Sequence, residues 1–131
     1  MTRKQKGKRI TELIDKYRPA LFLGEWKFDH TFVDGEHAVS DPISGWHVQA
    51  EIKVNYTYKK AMITTYKSFW ESTQDEQEET ICHEMSHCHT QQLWDFCTDF
   101  ANGKHHTPDE VCAAVETLTQ RISIIAKYGG V

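Results

Sequence analysis

The chain has 131 residues, of which 39% are hydrophobic and 26% are charged, which is enough for one domain with a buried core and too little for two ordinary domains. Fifteen Lys and Arg against nineteen Asp and Glu give a net charge of -4. No apolar run approaches the roughly 20 residues of a membrane span. The composition excludes a multidomain machine and predicts no membrane contact. Its unusual feature is eight histidines, five of which lie between positions 83 and 106.

Basic residues fill the start of the chain before any acidic one appears: Arg3, Lys4, Lys6, Lys8 and Arg9. This pattern predicts a flexible basic tail over residues 1–9, followed by a single domain over residues 10–131. Such a tail could make a weak contact with nucleic acid. It leads into no apolar core of a secretory signal, so the expected location is the cytoplasm.

The first half of the chain predicts one helix and then β structure. Apolar residues at i, i+3, i+4 and i+7 predict an amphipathic helix over about residues 8–18, which ends before Pro19 and lies on a sheet. Turn signals at Asp41-Pro42 and Ser44-Gly45 mark a loop. Alternation and β-branched composition predict three strands, the last two forming a hairpin: residues 26–32, 48–56 and 61–66.

The second half predicts a long helix over about residues 74–100. Ser72 or Thr73 supplies the hydroxyl of an N-cap, and the acids that follow complement the positive end of the helix dipole. The predicted helix ends at Asn102-Gly103.

A last helix is predicted after the signal Thr107-Pro108, and Gly129-Gly130 is expected to end it. Its apolar residues recur at helical spacing, and they are expected to form a buried stripe: Val111, Val115, Leu118, Ile122 and Ile125.

An HExxH motif, His83-Glu84-Met85-Ser86-His87, lies inside the predicted long helix. Residues four apart project from one helix face, so both imidazoles can reach one metal ion. Glu84 is rotated by about 100° and can address a water on that metal. The motif therefore predicts a catalytic zinc site with His83 and His87 as ligands.

Zinc held by two imidazoles needs at least one more protein ligand. The spacing HExxHxxGxxH is excluded, because Thr90 and Leu93 stand where it needs Gly and His. His89 points away from the motif face and is expected to be solvated. The remaining candidates are two carboxylates of the last helix and two loop imidazoles: Glu116, Glu110, His105 and His106.

The candidate ligands differ in whether another structural role already accounts for the residue at that position. Glu116 is expected near the seam where the last helix packs on the motif helix, whereas the helix dipole already accounts for Glu110 in the first turn. Cys112 is a weaker candidate. The sequence has no Cys-x-x-Cys pair, and its four cysteines are expected to be reduced thiols of a cytosolic protein: Cys82, Cys88, Cys97 and Cys112.

Over about residues 24–125 the chain resembles small phage-encoded metallopeptidases of the minigluzincin kind, which are HExxH zincins. The resemblance is carried by five segments: Ala50-Glu51-Ile52-Lys53-Val54-Asn55-Tyr56, Tyr58-Lys59-Lys60-Ala61-Met62-Ile63, Phe69, Ile81-Cys82-His83-Glu84-Met85-Ser86-His87 and Glu116-Thr117-Leu118-Thr119-Gln120-Arg121-Ile122. The last segment is similar to the family's glutamate motif, which implies Glu116 as the third ligand. The stretch from Cys88 to Pro108 departs from the family's apolar continuation.

The resemblance implies a zincin-like metallopeptidase domain over residues 10–131, in the cytosol of a phage host or bacterium. The implied fold is α+β, with a small antiparallel or mixed sheet packed on an N-terminal helix, a long HExxH helix and a C-terminal closing helix. SprT-like zinc peptidases have a similar element order, and a resemblance to them would imply His105 or His106 as the third ligand.

The expected activity is hydrolysis of peptide bonds by a zinc metalloendopeptidase, with a zinc-activated water and Glu84 as general base. An extended protein or peptide substrate would add a strand to the exposed edge of the sheet, expected near residues 61–66. The oxyanion donor is open among Tyr128, His105 and His106. The alternative is a non-catalytic, zinc-stabilised binding module that docks on a protein or nucleic acid.

Overall fold

The computed structural model describes residues 1–38 and 47–128, which form four helices and a three-stranded sheet. The predicted α+β class is confirmed. The predicted turns at Asp41-Pro42 and Ser44-Gly45 and the helix end at Gly129-Gly130 lie outside the described residues. In chain order the elements are α1 (Arg3–Ala20), β1 (Lys27–Phe32), β2 (Ala50–Asn55), β3 (Lys60–Thr65), α2 (Lys67–Glu71), α3 (Gln74–Ala101) and α4 (Pro108–Tyr128).

The sheet is mixed and has the order β1-β3-β2. The predicted hairpin is confirmed, because β2 runs antiparallel to β3 with Ile52 opposite Ile63, while β1 runs parallel to β3. The expectation of a free edge near residues 61–66 is wrong, since β3 is the central strand and β2 is an edge. Alternation in the sequence indicates which face of a strand is buried. It does not show whether the backbone groups along both edges of the strand pair with neighbouring strands.

Helix α1 begins earlier than the sequence pattern predicts. Thr2 Oγ1 accepts a hydrogen bond from the amide of Gln5, whose side chain accepts one from the amide of Thr2, and this capping box starts the helix at Arg3. Residues 3–9 therefore continue α1, where the sequence predicts a separate tail. The helix also runs past Pro19 to its last residue, Ala20.

Three of the basic side chains in this segment contact other parts of the chain, and one of them, Arg9, donates from Nε to Gln77 Oε1 at 3.4 Å. Arg3 Nη2 lies 3.6 Å from Asp34 Oδ2, and Lys6 Nζ lies 5.2 Å from the centroid of the Trp70 ring. The basic segment is thus a helical face that is joined to the domain.

The core lies between the sheet and the two helices α1 and α3. Helix α1 contributes the residues that its spacing predicts to be buried, and the core contains Ile10, Leu13, Ile14, Leu23, Trp26, Ala61, Ile63, Phe69, Ile81, Met85 and Cys88. Met85 lies within the HExxH motif and is fully buried. Since residues two apart on a helix are about 200° apart, burying Met85 turns His83 and His87 outward.

Helix α4 begins at Pro108 as predicted, with Thr107 Oγ1 accepting from the amide of Glu110 at 3.2 Å. The prediction of its buried stripe is wrong, because Val115 and Ile122 are 43% and 57% exposed. The side chain that α4 buries among its described residues is Ala114. An amphipathic pattern shows which face is apolar and does not show which element covers it.

All four cysteines are free, with Cys88 buried, Cys82 half-buried, and Cys97 and Cys112 exposed. Among the described residues, none of the helices combines the length and apolarity that crossing a membrane requires.

Candidate metal centre

The motif is positioned by the way α3 starts and packs. Thr73 Oγ1 accepts from the amide of Glu76, and the Glu76 carboxylate accepts from the amide of Thr73, so a capping box fixes the first turn. Two turns further on, Ile81 and Met85 are fully buried against the sheet and α1. The cap and the buried face together set the rotation of α3 and thus the direction of the motif residues.

The structure brings His83, Glu84 and His87 together as the sequence predicts. One ligand atom from each of these residues lies within 4.8 Å of the others. The two imidazole rings have their centroids 4.9 Å apart and are nearly perpendicular, at 87°. His87 Nδ1 lies 3.4 Å from Thr90 Oγ1, so Nε2 is the nitrogen of His87 without this contact.

The electrostatics of the group favour a proton-accepting carboxylate at Glu84 and the neutral form of the His87 imidazole. Burial, together with the negative charge of Glu51, raises the pKa of Glu84 to about 7. Burial and the neighbouring His83 lower the pKa of His87. A neutral imidazole is the form that binds a metal.

Glu51 of strand β2 is a site residue that the sequence reasoning missed. Its carboxylate accepts a hydrogen bond from the hydroxyl of Tyr66, and His37 Nε2 lies 3.3 Å from its other oxygen. Burial and the contact with Glu51 raise the pKa of Tyr66 to about 12. The alternation of β2 places Glu51 on the face opposite Ala50 and Ile52, but only the packing of α3 beside β2 reveals that Glu51 and Glu84 line the same cavity.

Two cavities flank Glu84 along the seam between β2 and α3. One, of about 550 Å³, also contains His83 and is lined by Val48, Gln49, Ala50, Glu76, Glu79, Thr80, His83 and Glu84. The other, of about 500 Å³, also contains His87 and is more apolar, with a lining of Ala50, Glu51, Ile52, Glu84, His87, Thr90, Gln91, Leu93, Trp94 and Cys97. Glu84 therefore lies midway along a cleft whose wall is the edge strand β2.

The structure does not bring Glu116 into the histidine group. Glu116 is exposed, and it follows the buried Ala114 by two residues, which places it about 200° around α4. Arg121, whose Nη2 donates to Tyr56 Oη at 2.7 Å, lies on the Ala114 side of the helix. The expectation that packing would put Glu116 at the seam is wrong, because α4 faces the domain with Ala114 and Arg121.

The other candidate ligands also lie apart from the group. His106 Nε2 lies 2.7 Å from Asp99 Oδ2 and its Nδ1 lies 3.0 Å from Glu110 Oε2, so it joins the end of α3 to the start of α4. His105 contacts the ring of Phe100, and Cys112 is exposed. The side chain of Tyr128 lies outside the part of the chain that the structure describes.

His89 is buried, contrary to the expectation that it is solvated. Its side chain points to the core side of α3, and Nε2 donates to the carbonyl of Leu21 at 2.7 Å. Burial lowers the pKa of His89. The sequence spacing correctly excludes His89 from the face of α3 that carries the motif histidines. It could not predict the hydrogen-bond acceptor of His89, because the Leu21 carbonyl lies at the end of α1, far away in the sequence.

The two imidazoles fit zinc in kind, since imidazole nitrogens are ligands that Zn²⁺ accepts, and the Glu84 carboxylate lies beside them where a base for a metal-bound water is needed. Donor atoms around a tetrahedral zinc are about 3.4 Å apart, given metal–ligand bonds of about 2.0–2.1 Å. The present separations of up to 4.8 Å can close through side-chain rotation, because His83 and His87 are both exposed.

Comparisons with models of known families, with curated proteins and with solved structures find no significant match.

Proposed function

We propose that the protein is a zinc-dependent metallopeptidase in which His83 and His87 hold the metal and Glu84 is the general base. One observation supports this most strongly: the three side chains converge on one exposed face of α3, within 4.8 Å of one another, in the middle of a cleft beside an edge strand. When bound, zinc supplies a Lewis acid that polarises a carbonyl and lowers the pKa of a bound water to about 7.

The role proposed for Glu84 is proton transfer. A carboxylate half-buried between two cavities can take a proton from the attacking water and give it to the leaving amine as the peptide bond breaks. Its position one residue after His83 separates it from the metal-facing direction by about 100° while keeping it within reach of the same water. Glu51 lines the same cavity as Glu84, and its negative charge adds to the effect of burial in raising the pKa of Glu84.

The cleft also supports binding of an extended peptide. Strand β2 is an edge of the sheet, and a peptide laid along it could pair with its backbone groups. The more apolar cavity, with Ile52, Leu93 and Trp94, would take a large apolar side chain. Trp94 is 67% exposed in the free chain, so substrate contact would cover it.

The third ligand proposed is Glu116, on the basis of the family resemblance of its segment. In the structure it is exposed and outside the histidine group. Its participation therefore requires α4 to shift when the metal binds.

The experiment that tests the function measures metal content and peptide hydrolysis together. We expect the wild-type protein to bind about one equivalent of Zn²⁺, and Glu84→Gln to keep the metal while losing about 10²–10⁴-fold in hydrolysis of an unstructured peptide. Asp95→Asn is the matched control, because Asp95 is an exposed carboxylate of α3 that lines neither cavity and lies outside the histidine group. Hydrolysis that survives in Glu84→Gln, or a wild-type protein that binds no zinc, contradicts the proposal.

A further inference from the structure

The two cavities beside Glu84 differ in the rest of their lining. The larger one, next to His83, is lined by three carboxylates and by no described Lys or Arg: Glu76, Glu79 and Glu84. The smaller one, next to His87, is the more apolar. A side chain that enters the larger cavity therefore meets negative charge without a compensating cation.

Two of the three carboxylates in the larger cavity already have a role. Glu76 Oε2 accepts from the amide of Thr73 at 3.0 Å in the capping box, and Glu84 is the proposed general base. Glu79 is exposed and forms no hydrogen bond or ion pair with any residue that the structure describes. Its carboxylate is therefore available to a ligand.

The position of Glu79 brings it close to the proposed metal ligands. Glu79 precedes His83 by four residues, so the two side chains share a face of α3 with their Cβ atoms about 5–6 Å apart. Thr80 lines the same cavity and donates from its hydroxyl to Gln49 Oε1 at 3.1 Å, which leaves lone pairs of Thr80 Oγ1 able to accept. The cavity thus offers a carboxylate and a hydroxyl oxygen as acceptors one helical turn from His83.

The other wall of this cavity is the chain that leads into the edge strand β2, from Val48 to Ala50. A peptide that pairs with an edge strand directs alternate side chains to one face, so one of them can enter the cavity. At about 550 Å³, the cavity has the size of a small-molecule pocket and can hold a long side chain.

We propose that the larger cavity binds the Lys or Arg side chain of a peptide substrate and that Glu79 is the residue that selects it. The inference rests on the proposed function, because it treats the cleft as the substrate-binding site. A Lys ammonium or an Arg guanidinium would pair with the Glu79 carboxylate while its methylene stem lies along the cavity wall.

Other side chains would fit the cavity less well. An Asp or Glu side chain would meet like charge, and an apolar side chain would take water from Glu79 without giving it a partner. Since the smaller cavity would take a large apolar side chain, the preferred cleavage lies between a basic residue and a large apolar one.

Peptides that differ at a single residue test the inference on the zinc-loaded full chain. The substrates are unstructured peptides that contain Lys-Leu or Leu-Lys, each compared with the same peptide carrying norleucine in place of Lys. Both orders are needed, because a peptide can run along β2 in either direction. In one order we expect kcat/KM to be about 5-fold higher for the Lys peptide than for the norleucine peptide.

Variants of Glu79 should change this preference and leave the metal in place. Glu79→Gln should reduce the preference to about one, and Glu79→Lys should favour a peptide with Glu in place of Lys. Asp95→Lys makes the same charge change at an exposed position of α3 that lines neither cavity, and it should keep the wild-type preference. Circular dichroism checks folding, and Glu79→Gln alone decides if Glu79→Lys does not fold. Loss of zinc from Glu79→Gln would make Glu79 a metal ligand and overturn the inference.

Fluorescence anisotropy of the labelled peptides separates this inference from the proposed function. If no peptide is hydrolysed, but the Lys peptide binds about 5-fold more tightly than the norleucine peptide and Glu79→Gln removes the difference, the proposed function alone fails. If peptides are hydrolysed at equal rates with Lys and norleucine in both orders, the inference alone fails. Equal affinities for the two peptides, or no binding of either, would also overturn the inference.

Discussion

Helices α3 and α4 are both long and amphipathic, but only α3 is anchored in the core. Among its described side chains α3 buries Ile81, Met85 and Cys88 completely, whereas α4 buries only Ala114. The two helices therefore differ in how reliably they position site residues. A helix whose rotation is fixed by buried side chains presents its other face predictably, and a helix with one small buried contact does not.

The largest expected effect of this difference is on stability. Ile81→Ala removes a fully buried side chain from α3 and should lower the free energy of unfolding by about 2–5 kcal/mol, a large part of the 5–15 kcal/mol typical of a domain. Val115→Ala on α4 should change it by less than about 0.5 kcal/mol, because Val115 is 43% exposed. Urea unfolding measures both, and equal losses would show that α4 is as firmly packed as α3.

The next effect concerns the metal. If Glu116 is the third ligand, Glu116→Gln should weaken zinc binding by at least about 100-fold, which exceeds the usual effect of changes outside the ligand shell. Glu110→Gln is the control, since Glu110 is held by His106 and Thr107 and should leave zinc affinity unchanged. Competition with a chromophoric chelator gives both affinities, and equal values for the two variants would exclude Glu116 as a ligand.

Because Glu116 lies about 200° from Ala114 around α4, it can reach the histidines only if the helix rotates or shifts. Among the described residues, movement of α4 would uncover only the small buried side chain of Ala114 and break the Arg121–Tyr56 hydrogen bond, whereas an equivalent movement of α3 would expose Ile81 and Met85.

Much of the fold could be predicted from the sequence, for reasons that differ between elements. The ends of α3 follow from Thr73, Glu76 and Asn102, since caps act locally, and the convergence of His83 and His87 follows from spacing alone. The order of the strands could not be predicted, because pairing on both sides of β3 is a property of the whole sheet.

The parts of the site that could not be predicted depend on contacts between distant segments. Glu51 and Glu84 line one cavity because α3 packs beside β2. His89 is buried, and its Nε2 donates a hydrogen bond to the carbonyl of Leu21, which lies 68 positions earlier in the chain. The spacing of the apolar residues of α4 predicts a buried face. That spacing is the same whether a sheet, a second chain or water covers the face, so it does not predict burial within the domain.

The smallest predicted effect concerns the junction that ties α4 to α3. His106 lies between Asp99 of α3 and Glu110 of α4 and donates to both carboxylates, which requires protonation of both ring nitrogens. The hydrogen bonds to Asp99 and Glu110 therefore raise the pKa of His106. A raised folded-state pKa contributes stability that is fully present below the unfolded value of about 6.5 and is lost as the pH rises through the folded value.

His106→Gln should therefore destabilise the protein most near pH 6, and the difference from wild type should shrink as the pH increases beyond about 6.5. His105→Gln, which removes an imidazole with no carboxylate partner among the described residues, should show no such trend. Urea unfolding at a series of pH values gives the difference, and amide hydrogen exchange shows where it acts. Faster exchange confined to the first turns of α4 would show that the junction holds α4 alone, whereas faster exchange throughout α3 would mean that the two helices unfold as one unit, contrary to the packing difference between them.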